Sequence, residues 1–141
     1  MWDGDSWVDE LIASVGDEIM FRLELQNDGG VENVDSIQVI DNIPTELVYL
    51  PLSGTLSHNG VQINVEPRDY CMPIDSPTGG IDCLWDLIEI DYLAPGDTLA
   101  IEYSAIVDSA GTFYNSYYAY ASCSACDVDL SFEDTAVVTV S

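Results

Sequence analysis

Polar and apolar residues alternate along most of this chain, a pattern that predicts β-strands and not helices. The clearest runs are Glu18–Gln26 and Thr98–Val107, in which every second residue is apolar. In the first run, one face carries Ile19, Phe21, Leu23 and Leu25. Further strands are predicted at residues 7–12, 36–41, 47–50, 55–57, 61–65, 81–90, 112–121 and 135–140.

Turn signals separate these runs at regular intervals. The strongest are the Asn-Asp-Gly-Gly sequence at residues 27–30 and Asn59-Gly60, which predicts a hairpin. Eight or nine short antiparallel strands at such spacing are typical of an all-β sandwich, and we expect one domain over residues 1–141. The expected core residues are Ile19, Phe21, Leu23, Val39, Trp85, Leu99, Ile101 and Val138.

The charge of the chain narrows the function classes. It has 26 Asp and Glu, two Arg, no Lys and a formal net charge of −24. Such a chain repels nucleic-acid phosphates and anionic lipids, so neither nucleic-acid binding nor direct membrane insertion is predicted. Because Leu, Ile, Val and Phe supply 40 of the 141 residues, the chain is folded and not an acidic disordered segment.

Four cysteines, Cys71, Cys83, Cys123 and Cys126, form an even set. We favour local disulfides, Cys71–Cys83 and Cys123–Cys126, which imply an oxidising compartment. The first would close the long Pro- and Gly-containing loop at residues 67–80. Free thiols and a four-cysteine zinc site remain alternatives, although the chain has only one C-x-x-C pair.

The turn motifs, taken in order, resemble a known family. The chain has Val15-Gly16-Asp17, then a turn beginning at Asn27, Asp41-Asn42-Ile43-Pro44, Leu93-Ala94-Pro95-Gly96-Asp97, Asn115 and the ending Ala136-Val137-Val138-Thr139-Val140. This order resembles the conserved repeat domain of archaeal and bacterial cell-surface and S-layer-like proteins. The resemblance implies an immunoglobulin-like sandwich, tandem arrays and no catalysis, so we expect these residues to be one module of a larger surface protein. Lys–Asn cross-links, which lock some surface domains of this general kind, would need the lysine that this chain lacks.

Several polar residues are candidates for specific roles. At the turns, we interpret Asn27, Asp41 and Asn115 as bonding backbone groups. Two acidic clusters are candidate Ca²⁺ ligands, because hard cations take several oxygens: one contains Asp3 and Asp5, the other Asp127 and Asp129. The alternative for both clusters is a hydrated acidic surface. No cofactor other than Ca²⁺ is predicted.

Aromatic residues crowd the run at residues 112–121. Alternation places Phe113 and Tyr117 on one face and Tyr114, Tyr118 and Tyr120 on the other. We expect one face to lie in the core and the other to form a candidate binding patch for a glycan or a protein.

No catalytic motif is present: the chain lacks a nucleophile elbow, a phosphate-binding Gly-rich loop and a His-containing metal triad. The sequence therefore predicts a non-catalytic structural or adhesive module of an extracellular or cell-surface protein. Its expected partners are neighbouring domains or subunits, with glycans as candidates. The alternatives are a carbohydrate- or protein-binding module and a filament subunit that assembles through strand edges.

Overall fold

The structure is a computed structural model, and it describes residues 1–27, 34–64, 81–86, 92–123 and 128–140. Within these ranges the chain folds as two packed β-sheets. None of the described segments forms a helix that is long and apolar enough to span a bilayer.

Eleven strands make up the two sheets. They are β1 (Glu10–Ala13), β2 (Glu18–Gln26), β3 (Val34–Ile43), β4 (Leu47–Tyr49), β5 (Thr55–His58), β6 (Val61–Asn64), β7 (Ile81–Asp86), β8 (Tyr92–Leu93), β9 (Thr98–Val107), β10 (Gly111–Cys123) and β11 (Val128–Val140).

The first sheet has the order β1-β11-β10-β3-β7, with β8 also paired to β3. The second has the order β2-β9-β5-β6, with β4 also paired to β9. All pairs are antiparallel except β1 and β11, which run in the same direction with Glu10 opposite Val137. The predicted hairpin at Asn59-Gly60 is confirmed, and Asn59 adopts the left-handed backbone (φ 50°) that such turns require.

The core lies between the sheets, where apolar residues of both inner faces meet. In β2, buried and exposed residues alternate without exception, so Ile19, Phe21, Leu23 and Leu25 all face inward. In β9 the inner face is equally buried, and Ala100 and Ser104 on its opposite face are buried as well. The expected core residues are confirmed where their side chains are described; Trp85 lies on β7 and its side chain is outside that set.

The strand count, the pairing at the termini and several strand boundaries differ from the prediction. The described residues hold eleven strands instead of eight or nine, and one pair is parallel. The first strand begins at Glu10 and not at residue 7, because Trp7 pairs with Trp2 in a separate bridge. The last strand begins at Val128, seven positions before the predicted start, because β11 pairs with β10 along its whole length. Pairing with another strand thus overrides a weak local pattern.

Truncating Ile101 in the core should lower the free energy of unfolding by about 2–5 kcal/mol, since Ile101→Ala leaves a cavity between the sheets. Urea denaturation measures this change, because urea is uncharged and does not screen the −24 charge. Ile12 is 81% exposed and gives a matched control, with Ile12→Ala expected to change stability by less than about 0.5 kcal/mol. Equal losses in the two variants would contradict this assignment of the core.

Candidate functional site

A polar cluster lies inside the sandwich and joins the two sheets. It consists of Asp41 on β3, Asn115 on β10 and Tyr103 on β9, and we call it the cross-sheet cluster. The hydroxyl of Tyr103 donates to Oδ2 of Asp41 over 2.5 Å, and the side-chain amide of Asn115 lies 2.6 Å from the same hydroxyl. All three residues are buried, with Asp41 at 0% exposure.

In one of its two orientations the amide of Asn115 supplies a second donor to Asp41. Its nitrogen then donates to the carbonyl oxygen of Asn42 over 2.9 Å and to the carboxylate of Asp41, while its oxygen faces the hydroxyl of Tyr103. Burying a carboxylate without hydrogen-bond donors costs free energy, and the donors around Asp41 offset this cost.

The ring of Tyr103 is packed on both sides. It stacks on Phe21 at a centroid distance of 5.3 Å and lies 5.7 Å from Tyr49. Burial raises the pKa of Tyr103 well above its usual value, and the charge of Asp41 raises this pKa further. The hydroxyl is therefore a proton donor at neutral pH, enclosed by protein groups, and its role is to connect the sheets.

The sequence predicts backbone hydrogen bonds at turns for the side chains of Asn27, Asp41 and Asn115. This prediction is correct for Asn27, because its side-chain nitrogen donates to the carbonyl oxygen of Leu93 over 2.9 Å. For Asp41 and Asn115 it missed the main partner, the side chain of Tyr103. Strand parity could have shown that both side chains face inward, because Asp41 alternates in step with the inward-facing Val39, and Asn115 with Phe113.

Asp3 and Asp5, the first candidate Ca²⁺ cluster, lie in an exposed turn. Oδ1 of Asp3 accepts hydrogen bonds from the backbone nitrogens of Asp5 (2.8 Å) and Ser6 (2.7 Å), and these bonds lower the pKa of Asp3. Asp127 is outside the described residues, and of Asp129 only the strand position on β11 is described. In the part of the chain that the structure describes, no group of three or more His, Cys, Asp or Glu is arranged to hold a metal ion.

The same turn places two tryptophans beside β2. Trp2 and Trp7 meet edge to face at 5.4 Å, and the guanidinium of Arg22 lies 5.5 Å from the centroid of the Trp7 ring. The same guanidinium pairs with Glu102 over 3.0 Å and with Glu24 over 3.3 Å. Aromatic and carboxylate groups thus surround this cation together.

The lone histidine, His58, ends β5, next to the hairpin tip. Its Nε2 lies 3.3 Å from Oδ2 of Asp97, and the side chain of Asn59 accepts a hydrogen bond from the backbone nitrogen of Thr98 over 3.1 Å. These contacts tie the hairpin to the turn before β9, which is a structural role.

Of the predicted disulfide residues, Cys83 lies on β7 and Cys123 ends β10. Cys71 and Cys126 fall outside the described residues, so both disulfides remain predictions.

The tyrosines of β10 divide between its faces as alternation predicts. Tyr114 and Tyr120 are 57% and 44% exposed, Tyr118 is partly exposed on the same outer face, and Tyr117 packs against the core. Beside Tyr114 and Tyr118 is a surface cleft of about 330 Å³, which we call the tyrosine cleft. Its lining also includes Asn42, Pro44, Thr45, Glu46, Thr112, Phe113 and Ser116.

No protein-family model matches the chain, and no curated protein matches it. Solved structures do resemble it. A variant of BcpA, the major pilin subunit of Bacillus cereus, matches 95% of the chain with a TM-score of 0.63 and 12% identity. The T6 backbone pilin of Streptococcus pyogenes, described as a modular three-domain structure, matches 89% of the chain with a TM-score of 0.52 and 17% identity.

At this low identity the matches establish the fold, an immunoglobulin-like β-sandwich. The chain spans 38% of the length of the Bacillus pilin subunit and 32% of the Streptococcus pilin. The match is thus to a part of each pilin chain.

Removing the hydroxyl of Tyr103 should destabilise the domain by about 1–3 kcal/mol, because Tyr103→Phe leaves the buried Asp41 without that donor. Wild-type stability should also fall as pH rises above about 10, where Tyr103 ionises in the unfolded chain but stays protonated in the folded one because its pKa there is raised. The variant should show a smaller fall. Urea denaturation from pH 7 to pH 11 tests the loss of stability and its pH dependence, and Tyr114→Phe on the surface is the control. Identical pH profiles for the wild type and Tyr103→Phe would contradict the role assigned to the Tyr103 hydroxyl.

The Ca²⁺ prediction can be tested by thermal melting. A built site would raise the melting temperature at micromolar to millimolar Ca²⁺ beyond the rise that NaCl gives at matched ionic strength. Asp3→Asn and Asp129→Asn should each reduce the Ca²⁺-specific part. An equal rise with NaCl would mean general screening of the acidic surface, and the Ca²⁺ site would be rejected.

Proposed function

We propose that this domain is a non-catalytic structural module of an extracellular or cell-surface protein, which joins or spaces neighbouring domains or subunits. The likeness to a pilin subunit over 95% of the chain supports this proposal. Membership of the conserved repeat domain family, with its tandem arrays, belongs to the same proposal and is supported by the order of the turn motifs.

The observation that carries the proposal is the parallel pair of β1 and β11. In a chain that continues on both sides, tension would pull the start of β1 and the end of β11 in opposite directions along the strands. Their hydrogen bonds lie across this direction, so they would be loaded together instead of opening one by one. A domain built in this way suits a position in a load-bearing chain.

A second candidate function is a binding module that uses the outer face of β10. The exposure of Tyr114 and Tyr120 and the tyrosine cleft favour it. The third alternative, filament assembly through strand edges, would be favoured by an unpaired terminal strand. In the described residues, the first and the last strand pair with each other instead.

Force spectroscopy tests the structural proposal. The domain, placed between reference domains and pulled from its termini, should unfold in one high-force event. In a parallel pair, every second residue of a strand forms backbone hydrogen bonds to its partner strand. The carbonyl oxygen of Asp9 accepts a hydrogen bond from the backbone nitrogen of Val137 over 2.8 Å. Two residues further on, Leu11 therefore also bonds to β11, whereas the backbone groups of Ile12 point away from it. Leu11→Pro should therefore lower the unfolding force markedly.

Ile12→Pro is the matched control, because proline at this position removes a backbone donor that points away from β11. It should leave the unfolding force near the wild-type value. If both proline variants unfold at the wild-type force, or if the wild type unfolds at low force, the load-bearing role is rejected.

A further inference from the structure

The tyrosine cleft forms where β3 leaves the first sheet. β3 and β10 pair as far as Asn42 opposite Ser116, and the chain then turns at residues 44–46 to enter β4 of the other sheet. The turn is fixed by backbone hydrogen bonds from Leu47 to Pro44 (3.0 Å) and from Asp108 to Glu46 (2.8 Å). The space left beside the first half of β10 is the cleft of about 330 Å³, at the lower end of the usual size of ligand sites.

The cleft combines aromatic rings with a single charged residue. Tyr114 and Tyr118 lie four residues apart on one face of β10, about 13 Å along the strand. Among the described residues of the lining, Glu46 is the one carboxylic acid, it is partly buried, and neither an arginine nor the histidine is present. Among the described residues, the ion pairs are those of Arg22 and His58, and none involves Glu46.

This lining favours a positively charged ligand. A cation gains from the faces of aromatic rings and from a carboxylate at once, and the net charge of −24 concentrates cations at the surface. The molecule contains an internal example of this chemistry, because Arg22 lies over Trp7 and pairs with Glu102. A neutral sugar can stack on the tyrosines but gains nothing from the charge of Glu46, and an anion is repelled.

The geometry points to the tyrosine cleft as a docking site for a lysine or arginine side chain on a basic segment of a partner protein. The partner is more basic than this chain, which has no lysine and two arginines, one of which, Arg22, is engaged internally. This inference deepens the proposed function, since it names the chemistry of the partner. Peptide binding is measured on the isolated domain without tension. The docking site can therefore be rejected while the load-bearing role holds, and the load-bearing role can be rejected while the docking site holds.

Binding is tested with two blocked peptides, one in which lysine alternates with glycine and one in which glutamine replaces each lysine. Chemical-shift mapping by ¹H–¹⁵N NMR in 150 mM NaCl should show shifts at Glu46, Thr112 and Tyr114 with the lysine peptide and none with the glutamine peptide. Glu46→Gln should weaken binding by about tenfold, the size of one charge-assisted contact. Tyr114→Leu, which keeps a strand-compatible side chain, should weaken it several-fold.

Glu18→Gln is the matched control, because Glu18 is exposed on β2 of the other sheet and its replacement changes the net charge by the same amount. It should leave the affinity within twofold of the wild type. Equal weakening by Glu46→Gln and Glu18→Gln would mean that the peptide binds the acidic surface non-specifically, and the site would be rejected. Shifts at the cleft with a neutral disaccharide but not with the lysine peptide would also overturn the proposal, in favour of a glycan site.

Discussion

The hydrogen bond between the hydroxyl of Tyr103 and the carboxylate of Asp41 is the contact on which the arrangement of the two sheets depends. An apolar core tolerates small sliding movements of one sheet over the other, because dispersion contacts have little directionality. A buried carboxylate does not tolerate such sliding, because the loss of its hydrogen-bond donor costs more free energy than the loss of a neutral contact. The cross-sheet cluster therefore selects one relative position of the sheets among many that would bury a similar apolar area.

The rest of the molecule separates apolar and acidic residues. The inner faces are almost entirely apolar apart from the cross-sheet cluster, whereas the outer surface carries most of a net charge of −24. Arg22 contacts two glutamates and one tryptophan, so a single cation serves three neighbours. Cations from solution must balance the remaining carboxylates, and for this reason ionic strength belongs to the description of the folded state.

The parts of the fold that could be predicted from the sequence are those governed by local alternation. The bounds of β2 and β9 match the prediction to the residue, because in both strands an apolar, inward-facing residue recurs at every second position. β1 and the first half of β11 could not be bounded in this way, since β1 depends on a partner at the other end of the chain and the first half of β11 on its pairing with β10, neither of which local alternation reveals.

The same distinction applies to the candidate sites. Alternation placed Tyr114, Tyr118 and Tyr120 on one outer face, and the structure agrees. It gave no indication of Glu46, because the turn that carries this residue reaches β10 only after β3 has left the sheet. It also missed the connection from Asp41 to Tyr103, since the two residues belong to different sheets and no local spacing relates them.

The pairing of β1 with β11 also has a consequence for how the chain reaches its folded state. Residue 10 finds its partner only at residue 137, so the first strand leaves the ribosome long before the strand that holds it exists. β2 likewise waits for β9. With so many contacts between distant residues, the domain folds slowly and only after its synthesis is nearly complete. The two sheets therefore cannot close completely before β11 has been made.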